Sequence, residues 1–156
     1  MKASHKIEKI LIAIEDSPYS EKALSYGHHL AIQMSAQVAL VHVNDLPLMP
    51  NYVGNMVVGE LPTISPELMT LQEEATQKLF ERIIRSWKDE ISVHTFSRLG
   101  NVRDEILDVA EQWHADLIIL GTHGRTGFDH FISGSVAESV ARKAHCPVLI
   151  IPNKEN

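Results

Sequence analysis

Gly121, Gly124, Gly127 and the pair Gly134-Ser135 punctuate the stretch LGTHGRTGFDHFISGSVAESV, Leu120 to Val140. It follows an apolar run and leads into a helical pattern. Residues without a Cβ let main-chain amides face an anion at close range. Gly134-Ser135 stands where a helix begins, and a helix N-terminus offers unpaired N–H groups and a partial positive charge that suit phosphate. Arg125 would add a bidentate clamp. The chemistry these residue types fit is anion binding by main chain. A plain turn is the other reading. Glycines often follow strands for geometry alone, and Ser135-Val136-Ala137-Glu138 is a capping box that satisfies a helix end without a ligand. The chain has no Walker sequence, and no GxGxxG follows its first strand.

Metal and nucleophile chemistries are less well served. Nine histidines are present, but His28 and His29 are adjacent and point about 100° apart on a helix. His123 and His130 flank the glycine stretch without the Cys or His partners of a zinc set. Ser17, Ser133 and Ser135 lie in nothing like GxSxG, and no His–acid pair is placed by sequence. The single cysteine, Cys146, allows no internal disulfide and reads as a buried, inert thiol.

The elements that must position these residues can be read from hydrophobic patterning. KILIAI (Lys9 to Ile14) and VALVHV (Val38 to Val43) are apolar runs suited to strands buried on both faces. Between them Asp16, Ser17, Pro18 and Ser20 are helix-start residues. Ala23, Leu24, Gly27, Leu30, Ala31 and Met34 then recur at helical spacing. Residues 44–64 hold prolines and glycines with weak periodicity and are expected to form a long flexible loop. Ser65-Pro66 reads as a cap with proline in the first turn. Leu68, Leu71, Ala75, Leu79, Ile83 and Trp87 give a long amphipathic helix. ISVHTFSRLG (Ile91 to Gly100) is a strand and its exit. Asn101 caps a helix carrying Val102, Ile106, Val109, Ala110 and Trp113 on one face. DLIILG (Asp116 to Gly121), a short helix with Val136, Val140, Ala141 and Ala144, and CPVLIIP (Cys146 to Pro152) complete the chain. Residues 153–156 read as a frayed tail.

Strict alternation of strand and helix implies an open parallel sheet with helices on both faces. The expected fold is α/β and Rossmann-like: five strands in the order 3-2-1-4-5, as one domain over residues 1–156 with its core at 9–152. Ligands of such sheets sit beyond the carboxyl ends of the strands, where the winding reverses. That crevice would bring Glu15-Asp16-Ser17 to the glycine stretch.

Composition bounds the function. With 156 residues the chain can bury a core without disulfides. A formal charge of -6 argues against general nucleic-acid binding, which needs a broad basic surface. The apolar run Ile10 to Ile14 is too short for a signal-peptide core or a membrane span, so the expected compartment is the cytoplasm.

The motifs together resemble a known family. GTHGRTGFDHFISGS fits G-x2-G-x9-G-[ST] through Gly121, Gly124, Gly134 and Ser135, the pattern of the nucleotide-binding branch of the universal stress protein family. KILIAIEDSPYSEKAL resembles that family's opening strand and helix, LVHV its second strand, and AHCPVLIIP its closing strand. The resemblance runs from about Lys9 to Pro152. It implies an adenine-nucleotide-hydrolase-like fold and a site for ATP, with Mg or Mn carried on the phosphates and no dedicated protein metal cage. Glu15 and Val43 would hold the sugar and adenine end. Leu120 and Gly121 would line the nucleoside, and Gly124, Gly134, Ser135 and Val136 would hold the phosphates. The family usually has Asp-x-Ser where this chain has Glu15-Asp16-Ser17, so its carboxylate sits one methylene further out, unless Asp16 substitutes for it or caps the first helix. The role implied is a stress-response switch or partner module. Slow ATP hydrolysis or phosphate transfer, with His123, Arg125 and Glu15 as the only candidate groups, and a nucleotide-free interaction protein are the alternatives. An apolar closing strand at a sheet edge, together with the resemblance, points to a homodimer through that strand.

Overall fold

The computed structural model describes residues 6–45, 65–88, 91–122 and 136–152. Nine elements alternate strictly: β1 (Lys9–Ile14), α1 (Ser20–Met34), β2 (Gln37–Asp45), α2 (Pro66–Ser86), β3 (Val93–Gly100), α3 (Val102–Trp113), β4 (Leu117–Gly121), α4 (Val136–Lys143) and β5 (Val148–Ile151). The strands form one sheet in the order β3-β2-β1-β4-β5, and every pairing is parallel. The expected architecture and strand order are thus what the chain adopts. Residues 46–64, most of the expected long loop, the glycine stretch from His123 to Ser135 and the tail 153–156 lie outside the described residues.

Side chains alternate across the sheet and split the core in two. Ile10, Ile12, Ile14, Val38, Leu40 and Ile119 face α1 and α2, where Ala23, Ala31, Leu79, Phe80 and Ile83 meet them. Leu11, Ala39, Val41, Ile118 and Leu120 face α3 and α4, against Ile106, Val109, Ala137 and Val140. Ile10, Leu11 and Ile12 are wholly buried. Each such side chain contributes about 1.5–3 kcal/mol over leaving it in water, so β1 anchors both layers.

Local signals hold at several boundaries. The Ser65 side chain accepts from the Leu68 amide with Pro66 in the first turn, and the Asn101 side chain accepts from the Asp104 amide at 3.2 Å. Gly100 has φ +149°, a conformation that disfavours any Cβ, and such a Cβ would also lie 3.0 Å from Glu105 Oε1.

Other expectations need correction. Leu68 and Leu71 are 46% and 61% exposed, and Ala75 is exposed too. The buried face of α2 begins only at Thr76 and continues through Leu79, Phe80 and Ile83; Thr76 already meets Asn44, one residue before the end of β2, so roughly three turns before it extend past that strand. Met34, expected on the core stripe of α1, is exposed at the helix's last turn. Trp113 is half-buried, with Lys9 Nζ 5.3 Å over its ring. Asp116 lies outside β4 and serves its neighbour: one carboxylate oxygen accepts from the Glu8 and Lys9 amides, each at 2.9 Å. Cys146 likewise precedes β5. Burial first, then the nearby Asp116 charge, push its thiol pKa up, in keeping with an inert cysteine. No helix among the described residues is long and apolar enough to cross a membrane.

α1 packs on the sheet at Gly27, where an added Cβ would run into Ile12 Cδ1 and lie 3.0 Å from Ile12 Cγ1. Alanine favours a helix by about 1 kcal/mol over glycine, but forcing a methyl into a packed core costs about 1–3 kcal/mol. Gly27→Ala should therefore lower the urea midpoint of unfolding. A raised midpoint would show that the layer spacing is not set here.

Candidate functional site

The site is assembled by strand register. Ile14 pairs with His42 across β1 and β2, and Ile12 pairs with Ile119 across β1 and β4. Both ladders are parallel, so all carboxyl ends leave the sheet on one edge. One step past the last β1–β2 pair, Glu15 stands level with Val43. Two steps past the last β1–β4 pair, Ile14 stands level with Gly121, which itself pairs with Ile151 of β5. Leu120 is buried in the α3/α4 layer, and Val43 packs against the same cluster. Val136 opens α4, whose Ala137 and Val140 pack beside Leu120. Glu15, Val43, Leu120, Gly121 and Val136, taken from distant parts of the chain, therefore belong to one edge of the sheet and its flanking helix. Gly124, Arg125, Gly134 and Ser135, the expected phosphate half, lie outside the described residues, as do His123, Gly127, His130 and Ser133.

The chain after β1 is held tightly. The Glu15 amide donates to Ser20 Oγ at 2.9 Å, and Ser17 Oγ donates to Glu15 Oε1 at 2.7 Å. The Tyr19 amide donates back to Ser17 Oγ at 3.3 Å. Ser20 is buried. Three hydroxyl contacts thus wrap the turn around the half-buried Glu15 and fold its carboxylate toward its own main chain. Asp16 does not cap the first helix. α1 has no side-chain cap bond at its N-cap, Tyr19, and the Asp16 carboxylate turns outward to accept from Arg82 of α2 at 2.8 Å.

Beside this turn lies a polar group on the α2 face that the sequence reading did not single out. His42, buried at 4% exposure, has Nδ1 3.1 Å from the Ile14 carbonyl oxygen. Asn44 donates to Thr76 Oγ1 at 3.1 Å, and Ser97 donates to Glu73 Oε2 at 2.6 Å. The Ser97 hydroxyl, then Gln77, and less strongly His42 hold the Glu73 carboxyl below its ordinary range. The signal for His42 was one ring with polar atoms near the end of an otherwise apolar run. The adjacent histidines of α1 have different surroundings: His28 stacks on Trp87 with centroids 4.7 Å apart, and His29 is exposed. Among the described residues no three of His, Cys, Asp or Glu are placed to share a metal ion.

Fold and register define a parallel, doubly wound α/β protein whose buried polar residues, Ser20, His42 and Thr76, lie toward the carboxyl edge. Residues 6–152 match the model of the universal stress protein family, and the chain belongs to that family. It is 35% identical over 150 residues to universal stress protein MJ0531 of Methanocaldococcus jannaschii, an alignment covering 95% of this chain and 85% of that one. The solved structure of MJ0577 from the same organism superposes with a TM-score of 0.77 at 25% identity, covering 97% of this chain and 99% of the other. The universal stress protein of Archaeoglobus fulgidus solved in complex with dAMP shares the fold, with a TM-score of 0.62, 21% identity, and coverage of 94% and 98%.

The turn after β1 yields a stability prediction. Ser20→Ala leaves the Glu15 amide without its acceptor in a buried place and should cost about 1–3 kcal/mol. Asp16→Asn breaks only an exposed pair and should cost at most about 1 kcal/mol. Equal losses in urea titrations of the two variants would show that the hydroxyl bond does not hold the turn.

Proposed function

We propose that this chain binds an adenine nucleotide, ATP carrying Mg or Mn on its phosphates, and acts as a nucleotide-dependent switch or partner module of the cytoplasm. The observation that carries the reading is the convergence of Glu15, Val43, Leu120, Gly121 and Val136 at one sheet edge. A carboxylate with a free accepting oxygen suits sugar hydroxyls. With Leu120 buried in the layer behind it, half-buried Val43 offers apolar surface to a base. Gly121 leaves room beside it, and the glycine stretch that follows, with Arg125, Gly134 and Ser135, supplies the residue types that take phosphate. The dAMP held by the Archaeoglobus fulgidus protein of the same fold supports the class of ligand. Under this reading the protein is a binder, and retention of intact nucleotide is expected over turnover; slow hydrolysis by way of Glu15, His123 or Arg125 is the alternative.

Equilibrium dialysis against ATP and magnesium tests this. One nucleotide per chain is expected, and Gly124→Val should abolish binding while leaving the free energy of unfolding within about 0.5 kcal/mol of the parent. No binding at millimolar ATP would remove the proposal.

We further propose pairing of two chains through β5. This edge strand carries Val148, Leu149 and Ile150 only half-buried, and an apolar edge with open main-chain groups favours a second copy. Sedimentation equilibrium should give twice the chain mass, and a monomer at micromolar concentration would discard the pairing.

A further inference from the structure

His42 is a buried ring in an apolar strand, and its hydrogen bond reaches the residue that leads into the proposed site. The Ile14 carbonyl can only accept, so the Nδ1 that lies 3.1 Å away carries the hydrogen. That carbonyl belongs to the same peptide unit as the Glu15 amide, which donates to Ser20 Oγ at 2.9 Å. A peptide unit is planar, so fixing its oxygen from β2 and its nitrogen from α1 fixes the plane from which the Glu15 Cα departs. Ser17 then holds the Glu15 carboxylate at 2.7 Å. On the other side, Val43 directly follows His42 in β2 and stands level with Glu15. One imidazole thus ties together the two main-chain positions assigned to the nucleoside.

We propose that His42 is a positioning residue for nucleotide binding, acting with Ser20 to clamp the Ile14–Glu15 peptide and so aim the Glu15 carboxylate. The proposal rests on the nucleotide reading above. It differs from a core histidine satisfied for stability alone, because the bond must matter through Glu15.

Asparagine tests it, since its Nδ2 lies the same number of bonds from Cα as the histidine Nδ1 and can donate to the same carbonyl. Leucine has similar bulk and no donor. ATP dissociation constants are measured by calorimetry with magnesium for the parent, His42→Asn, His42→Leu, Glu15→Ala and the double variant His42→Leu/Glu15→Ala. His42→Leu should weaken binding about tenfold. His42→Asn should stay within about twofold of the parent. In the Glu15→Ala background the leucine should add less than about twofold, because the group it positions is gone. If the parent does not bind ATP, the nucleotide reading falls and this inference with it. If the parent binds but asparagine is as weak as leucine, or the two single losses multiply in the double variant, the positioning role alone is overturned. A long-range proton–nitrogen spectrum of the parent, which needs no variant to fold, should show His42 bearing hydrogen on Nδ1. A neutral ring bearing it on Nε2 would overturn the role outright.

Discussion

The central place of β1 constrains everything else. It pairs on one side with β2 and on the other with β4, and helices cover both its faces. The middle of a strand enclosed in this way can hold only apolar side chains, because an unpaired polar group there costs several kcal/mol. The run Ile10, Leu11, Ile12 obeys that rule with no exposed surface at all. Polar chemistry is therefore displaced to the strand's ends. Parallel pairing sends every strand end to the same edge, so the polar residues displaced from β1 meet those that follow β2 and β4. The candidate site is a consequence of how the sheet is enclosed.

β1 is also pinned at both ends by polar side chains from other elements. At its start, Asp116 takes the amides of Glu8 and Lys9, and Lys9 Nζ donates to the Trp113 carbonyl at 3.1 Å. At its finish, Ser20 takes the Glu15 amide and His42 engages the Ile14 carbonyl. Hydrophobic burial fixes which strand lies in the middle but is non-directional and leaves the exit angle of the chain undetermined. Hydrogen bonds with defined donors and acceptors supply that angle. The division of labour explains why the few buried polar residues include Ser20 and His42, both at the end where a ligand would be met.

Strand order and most boundaries were legible because they follow from local patterns: apolar runs of strand length, a Ser65-Pro66 start, an Asn101 cap. What was not legible depends on lengths and directions across the fold. α2 has 21 residues, about 32 Å at 1.5 Å each. β2, on which it packs, ends at Asp45, and Asn44 just before that end already meets Thr76, the eleventh residue of the helix. Periodicity marks Leu68 and Leu71 as belonging to one stripe but cannot say that the sheet ends before reaching them. Asp16 was open between two local roles, and its actual partner, Arg82, is 66 residues away. His42 was read only as part of a strand, because nothing in its neighbours reveals that its ring faces a carbonyl 28 residues earlier. Of the site, topology alone brought Glu15 to the stretch that holds Leu120, Gly121 and Val136, while Val43 came only with the family resemblance. The sequence could not supply the hydroxyl contacts that orient Glu15.

Those contacts bear on the longer acid after β1. A glutamate reaches about 1.5 Å further than an aspartate and gains a rotatable bond, so an unrestrained Glu15 would present its charge further out and less sharply. Ser17, two residues on, takes Oε1 and bends the side chain back. The extra methylene is spent on curvature, and a carboxylate whose one oxygen is held by a hydroxyl keeps lone pairs on the other for a further donor. Asp16, which could have competed for that donor, is drawn away by Arg82. The pair of acids thus divides cleanly. One faces the helix layer through an exposed ion pair, and the other is restrained by a serine that the same short turn provides. The Ser17 hydroxyl, two residues on, gives the longer side chain its direction.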